Sequence, residues 1–315
     1  MRSPEYWPWW EPFTAFAKRQ LETRDYDPFH PMLWSLQRGM TKEEALWSSF
    51  IYMAFYSMGS SYCAWSSFEP LQKLPAQADG WHIGLQRRNL RASSVVKHIE
   101  DMSQKARPYG SIEGWLTDGF GSDLKQNWKI LIARLESVWG NGRWAAYTTA
   151  ELFQKANNLN VEPACMGLDG ATGPRKGLIK LTGLPSSASL EELEAHGDAL
   201  VEKLRELHPD PGIPWARHGY DYAMVESTLC DFYGLTQGRY YVGRDIDRIA
   251  GRIVAQQDRT DVDMAPVWGA RAEMFPRYLL TEERKVTPTG VDWARAKVFK
   301  DHGVIADYRD DFMLM

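Results

Sequence analysis

The stretch Gly140-Asn141-Gly142-Arg143-Trp144-Ala145-Ala146-Tyr147 constrains the chain most. A Gly-x-Gly turn reverses the backbone within a few residues, because glycine takes a positive φ without strain. Residues 128–138 before it carry apolar side chains at helical period, and so do residues 143–156 after it. Helix, tight glycine turn, helix leaves backbone N–H groups and a helix N-terminus facing outwards, where they suit an anion. In a DNA-binding protein that anion is a backbone phosphate, gripped without reading the base. Gly140, Gly142 and Arg143 are therefore candidate phosphate contacts.

The rest of the pattern is helical too, and the expected fold is mostly α. Thr41-Lys42-Glu43-Glu44 and Ser189-Leu190-Glu191-Glu192 have capping-box form, opening helices to about Met58 and about Leu207. Further helices are expected near 12–23, 93–107, 111–119, 122–138, 220–233 and 245–257. Residues 163–177 read as a glycine-rich loop, and Gly238–Gly243 as a short extended piece. Residues 1–40 look like an aromatic arm packed on a helical core at 41–208. Pro209, Pro211 and Pro214 mark a boundary before a C-terminal helical extension, 209–315, expected to complete a cleft.

A formal charge of −4 gives no global basic field, so a nucleic acid would have to be held by a local patch. The run Gln86-Arg87-Arg88-Asn89-Leu90-Arg91 offers Arg87 and Arg91 as DNA-backbone contacts. Cys63, Cys165 and Cys230 stand alone, which favours a reducing cytoplasm and no structural zinc. The seven histidines show no paired ligand spacing, so no metal is expected. Lys176 is followed by Gly177 rather than Ser or Thr, which argues against a Walker nucleotide site, and no cofactor is expected. No apolar run is long enough to cross a bilayer, and no basic-then-apolar leader opens the chain.

Two carboxylates stand out. Asp169 sits in Met166-Gly167-Leu168-Asp169-Gly170, a loop whose backbone N–H groups, with Arg175 and Lys176, suit a phosphate. The alternative is that Asp169-Gly170 is only a turn. Glu226 lies between Val225 and Leu229, so at helical spacing it approaches an apolar surface, where a raised pKa would suit an acid or base. Equally, it could form a buried ion pair with Arg239 or Arg244.

The hairpin resembles that of the helix-hairpin-helix DNA glycosylases, through Gly140, Gly142, Trp144, Ala146 and Tyr147. The resemblance implies a glycosylase-like helical core and base flipping, with Asp169 as the catalytic Asp beyond the hairpin. Where a bifunctional glycosylase has its Schiff-base lysine, this chain has Trp144, so a lyase is not expected. The wider layout resembles the phage thymidine-hypermodification proteins, the α-glutamyl/putrescinyl thymine pyrophosphorylases and amino acid:DNA transferases. The residues carrying this are Trp47–Tyr56, Glu226-x-x-Leu229-Cys230-Asp231-Phe232 and Gly238-Arg239-Tyr240-Tyr241-Val242-Gly243-Arg244-Asp245.

That resemblance implies transfer of an amino acid, glycine by analogy with the family, onto phosphorylated or pyrophosphorylated 5-hydroxymethyluracil in duplex DNA. Asp169 or Glu226 would take the amine proton, and Arg143, Arg175, Lys176, Arg239 and Arg244 would face phosphates. Trp144, Tyr147 and Tyr241 would line the substrate pocket. Partners would be DNA containing modified thymine, a free amino acid and other enzymes of the pathway, in a bacterial host cytoplasm. The alternatives are a monofunctional glycosylase and a non-catalytic binder of modified DNA.

Overall fold

Thr41 and Glu44 form the reciprocal capping box that their spacing predicts, with each side chain accepting from the other's backbone N–H. The computed structural model describes residues 3–72, 81–84, 87, 90, 92–209, 219–280 and 289–305. Behind the cap runs helix α3 (Lys42–Phe55), and every residue from Ala45 to Phe55 is buried. A helix buried on all sides has no face for water, so it forms the middle of the structure.

Thirteen more helices are arranged around it among the described residues: α1 (Trp10–Thr23), α2 (Phe29–Leu36), α4 (Met58–Ser67), α5 (Ala92–Ala106), α6 (Ile112–Thr117), α7 (Leu124–Ser137), α8 (Arg143–Lys155), α9 (Gly173–Thr182), α10 (Leu190–Leu207), α11 (Tyr222–Thr236), α12 (Arg244–Gln257), α13 (Ala265–Met274) and α14 (Trp293–His302). No strand occurs among the described residues, so the fold is mostly α as expected. Four local expectations change. The helix from Lys42 stops at Tyr56, which takes a left-handed φ of 47°, and a new helix starts at Met58. Gly238–Gly243 forms turns rather than an extended piece. The loop after Pro163 becomes helical at Gly173, with Pro174 in the first turn, where proline needs no N–H partner. Helices α2, α13 and α14 were not foreseen, being short and weakly periodic.

Of the N-terminal aromatics, Trp7, Trp10, Phe13 and Phe16 are buried, while Tyr6 is exposed. Phe13 meets Phe232 of α11 edge-on, with ring centroids 5.2 Å apart, and Phe16 packs on the same ring at 6.0 Å. Gln20 and Asp25 continue this contact with polar groups. Gln20 donates to Asp231 at 3.0 Å, and buried Asp25 accepts from Tyr240 at 2.6 Å and from the Gly243 N–H at 2.8 Å. Gly243 is the N-cap of α12, so the arm fixes where that helix begins.

Helices α9 and α11 touch backbone to backbone. A Cβ on Gly177 would lie 2.2 Å from the Leu229 carbonyl oxygen, and one on Gly173 would lie 2.4 Å from Cys230 Sγ. Spaced four apart, the two glycines form a smooth strip on one face of α9. A buried ion pair joins the next two elements: Lys155 at the end of α8 donates to Asp221 at 2.7 Å, and Asp221 also caps α11 through the Met224 N–H.

Gly177→Val should therefore force α9 and α11 apart and destabilise the protein by roughly 1–3 kcal/mol or more. Gly142→Ala has nothing within 4 Å of its new Cβ and should change stability in a urea titration by about 0.5 kcal/mol or less. Equal midpoints for the two variants would refute the close crossing. Lys155→Met should cost about 3–5 kcal/mol by leaving Asp221 charged and buried. Adding Asp221→Asn should recover part of that loss, since asparagine still caps α11.

Candidate active site

Three helices begin at one cleft. Its walls include Arg143, Trp144 and Thr148 from α8, Thr172, Gly173 and Pro174 at the start of α9, and Arg244, Asp245 and Arg248 from α12. The volume is about 400 Å³, within the range of small-molecule pockets. Residues from the first turns of all three helices line the space, so the positive ends of their dipoles lie beside it. Gly142 and Thr172, the N-caps of α8 and α9, make no side-chain capping bond. The close glycine crossing sets the fourth wall, α11, which contributes Glu226, Ser227, Cys230 and Asp231.

The charges in the cleft divide into two sets. Arg244 is held by Asp245 at 2.9 and 3.1 Å, and Asp231 lies 3.8 Å away. Arg248 also donates to Asp245, at 2.9 Å. Burial acts to raise the Asp245 carboxyl, but the two guanidiniums hold it down at about 2. Asp245 is thus a fixed anion that orients two arginines. Glu226 is the opposite case: burial first, and then the nearby Asp27 carboxylate, push it up to about 8 against the pull of Arg143. It pairs with neither Arg239 nor Arg244, so the ion-pair alternative does not hold. A carboxyl that titrates near working pH is suited to exchange a proton.

Arg143 and Tyr147 together shape the loop beside the cleft. Arg143 donates to the Gly167 carbonyl at 2.6 Å, and Tyr147 donates to the Cys165 carbonyl at 3.0 Å. Tyr147 is consequently a buried loop anchor and does not line the cleft. Trp144 does line it, meeting Tyr56 edge-on with centroids 5.3 Å apart. These two rings form an aromatic wall.

Several expected site residues lie elsewhere. Asp169 is exposed and is not part of the cleft wall. Arg175 donates to the Ala188 carbonyl at 3.2 Å, while exposed Lys176 and Arg239 both lie over the Tyr233 ring. Tyr241 is buried, donating to Asp247 at 2.7 Å and accepting from the Asp292 N–H at 3.0 Å, so it fastens α12 to the start of α14. Arg91 falls outside the described residues.

The hairpin is a braced turn. Gly140 has a φ of +85°, and a Cβ there would lie 2.8 Å from the Leu90 side chain. Arg87 is only 5% exposed and reaches His98 at 3.3 Å and Asn141 at 3.3 Å, which removes it from the DNA contacts and makes it a strut. Burial, and then Arg87, push His98 down to about 3, so its ring is neutral. Its Nδ1 faces the Trp139 carbonyl at 2.6 Å and must carry the proton, leaving Nε2 to accept from Arg87. Gly140 and Gly142 remain exposed, and beside them stands exposed Trp139 with Lys97 over its ring at 4.3 Å.

Sequence reasoning missed Trp139 and Asp27. Asp27 follows α1 with a φ of +37°, a conformation uncommon outside glycine. It accepts from Ser227 at 2.5 Å and lines the cleft. The run Asp25-Tyr26-Asp27-Pro28, acidic and closed by a proline, was the available signal.

A search of curated proteins gives no match to this chain. The model of one protein family, described as amino acid:DNA transferase, matches residues 21–240. That span includes the arm from Leu21, the hairpin, and the α8, α9 and α11 walls of the cleft. The chain belongs to the amino acid:DNA transferase family, and is a transferase that acts on DNA, with DNA and an amino acid as its substrates.

Proposed function

We propose that the cleft joins the amino group of a small amino acid, glycine by analogy with the family, to a phosphorylated or pyrophosphorylated 5-hydroxymethyluracil flipped out of duplex DNA. The observation that carries this reading is Glu226, a carboxyl titrating near 8, in a cleft walled by arginines and by three helix N-termini. Displacement at the exocyclic carbon needs two kinds of help. A cationic surround must accept the departing phosphate, and a base must take a proton from the attacking amine.

In the proposed step the amine nitrogen forms a bond to the exocyclic CH₂ as the C–O bond to the phosphate breaks. The electron pair leaves with the phosphate, and the amine proton passes to the Glu226 carboxylate. Arg143, Arg244 and Arg248 face the leaving group, supported by the uncapped start of α9. Trp144 and Tyr56 offer the flipped base an aromatic surface. Exposed Gly140 and Gly142, with the uncapped start of α8, take a backbone phosphate, and Lys176 and Arg239 extend the basic surface. Asp169 stands outside the cleft wall, so the monofunctional glycosylase alternative loses the carboxylate assigned to it.

Incubating the protein with phosphorylated 5-hydroxymethyluracil DNA and a mixture of amino acids, then weighing the digested nucleosides, tests the reaction. An amino-acid adduct is expected; abasic sites would favour a glycosylase, and unchanged DNA a binder. Glu226→Gln should lower the rate by about 10²–10⁴-fold. In the parent enzyme kcat/KM should rise with pH up to about 8, because Glu226 is protonated below that value and cannot act as a base. A rising limb of the same midpoint in Glu226→Gln would assign the base to another group.

A further inference from the structure

Behind Asp27 lies a buried cluster that the proposed reaction does not use. Asp27, His30 and Glu151 each direct one potential ligand atom into the same space, all within 4.8 Å of one another. His30 is 0% exposed, and neither ring nitrogen has a hydrogen-bond partner. Glu151 is 2% exposed. A fully buried imidazole with no partner is rare in a folded protein, since losing water without replacing its hydrogen bonds is costly.

We propose that Asp27, His30 and Glu151 bind one divalent transition-metal ion, of the class of Mn²⁺, Fe²⁺ or Zn²⁺. One imidazole nitrogen and two carboxylate oxygens suit these ions better than Mg²⁺ or Ca²⁺, which favour oxygen alone. Three protein ligands leave coordination positions open, as sites that meet substrate do. Both carboxylates are already oriented by a neighbouring hydroxyl: Tyr26 donates to Glu151, and Ser227 donates to Asp27 at 2.5 Å. Such outer contacts are a regular feature of metal sites.

The local charge also fits. As carboxylates, Asp27 and Glu151 would match the two charges of a dication, while Lys155 is already paired with Asp221 at 2.7 Å. The contacts here come from α1–α2, α8 and the start of α11, so one ion would tie three parts of the chain together. Asp27 belongs both to this cluster and to the cleft wall, which places the ion at the edge of the cleft. The cluster's geometry does not draw on the chemistry proposed for the cleft, although an ion on Asp27 would also act on Glu226.

The test is to strip the full-length protein with a chelator and titrate it with Zn²⁺, and separately with Mn²⁺, counting bound metal after dialysis. One equivalent per chain is expected, together with a higher melting temperature. Affinity should fall by about tenfold or more in Glu151→Gln and in His30→Ala. His302→Ala, at an exposed histidine of α14, should bind like the parent. Circular dichroism identifies a variant that fails to fold; if His30→Ala does, the isosteric Glu151→Gln still decides the question. Failure of the parent protein to retain either metal would overturn the proposal, as would full binding in both ligand variants. Transfer activity is not read in any arm, so the outcome is separate from that of the proposed reaction.

Discussion

The backbone contact between α9 and α11 is the constraint on which the cleft depends. Because Gly173 and Gly177 have no side chains, α9 lies against Leu229 and Cys230 more closely than any other residue would permit. That proximity sets the first turn of α9 beside the Glu226 face of α11. Packed interiors do not deform smoothly, so even one methyl group at Gly177 would move a whole helix end. The Lys155–Asp221 pair acts on the same helix from its other side, fixing the start of α11 against the end of α8. Two short-range contacts thus hold three of the cleft walls.

The electrostatics follow from this placement. Helix N-termini and guanidiniums make the space positive, and Asp245 holds Arg244 and Arg248 in position at the cost of one fixed negative charge. Against that background a carboxylate should ionise readily. Glu226 does not, because burial and the adjacent Asp27 outweigh Arg143. Asp27 is itself pushed well above the usual range, chiefly by burial and then by Glu151. Positive walls around reluctant carboxyls describe a site that can bind an anion and still hold a proton acceptor in reserve.

Much of this was legible in the chain. Capping residues located the starts of α3 and α10, because a Ser or Thr three positions before a Glu satisfies helix N–H groups locally. Glu226 stood out because Val225 and Leu229 flank it on one turn. Asp169 was chosen by its place beyond the hairpin in the glycosylase resemblance, and nothing in its loop shows that it lies outside the cleft wall. Arg87 looked like surface in a basic run, and only the fold brings His98 and Asn141 to it. Asp27 and His30 were hidden for a related reason. Their partners lie on α8 and α11, more than a hundred residues away, and sequence spacing carries no trace of them.

The braced hairpin has one more consequence. Arg143 is the first residue after the turn and already lines the cleft, so turn and pocket share one short stretch of backbone at the start of α8. Arg87, His98 and the positive φ of Gly140 brace that stretch. Under the proposed function, a strand seated on Gly140 and Gly142 would be tied to the pocket by a single residue step, a connection that a free nucleotide could not use.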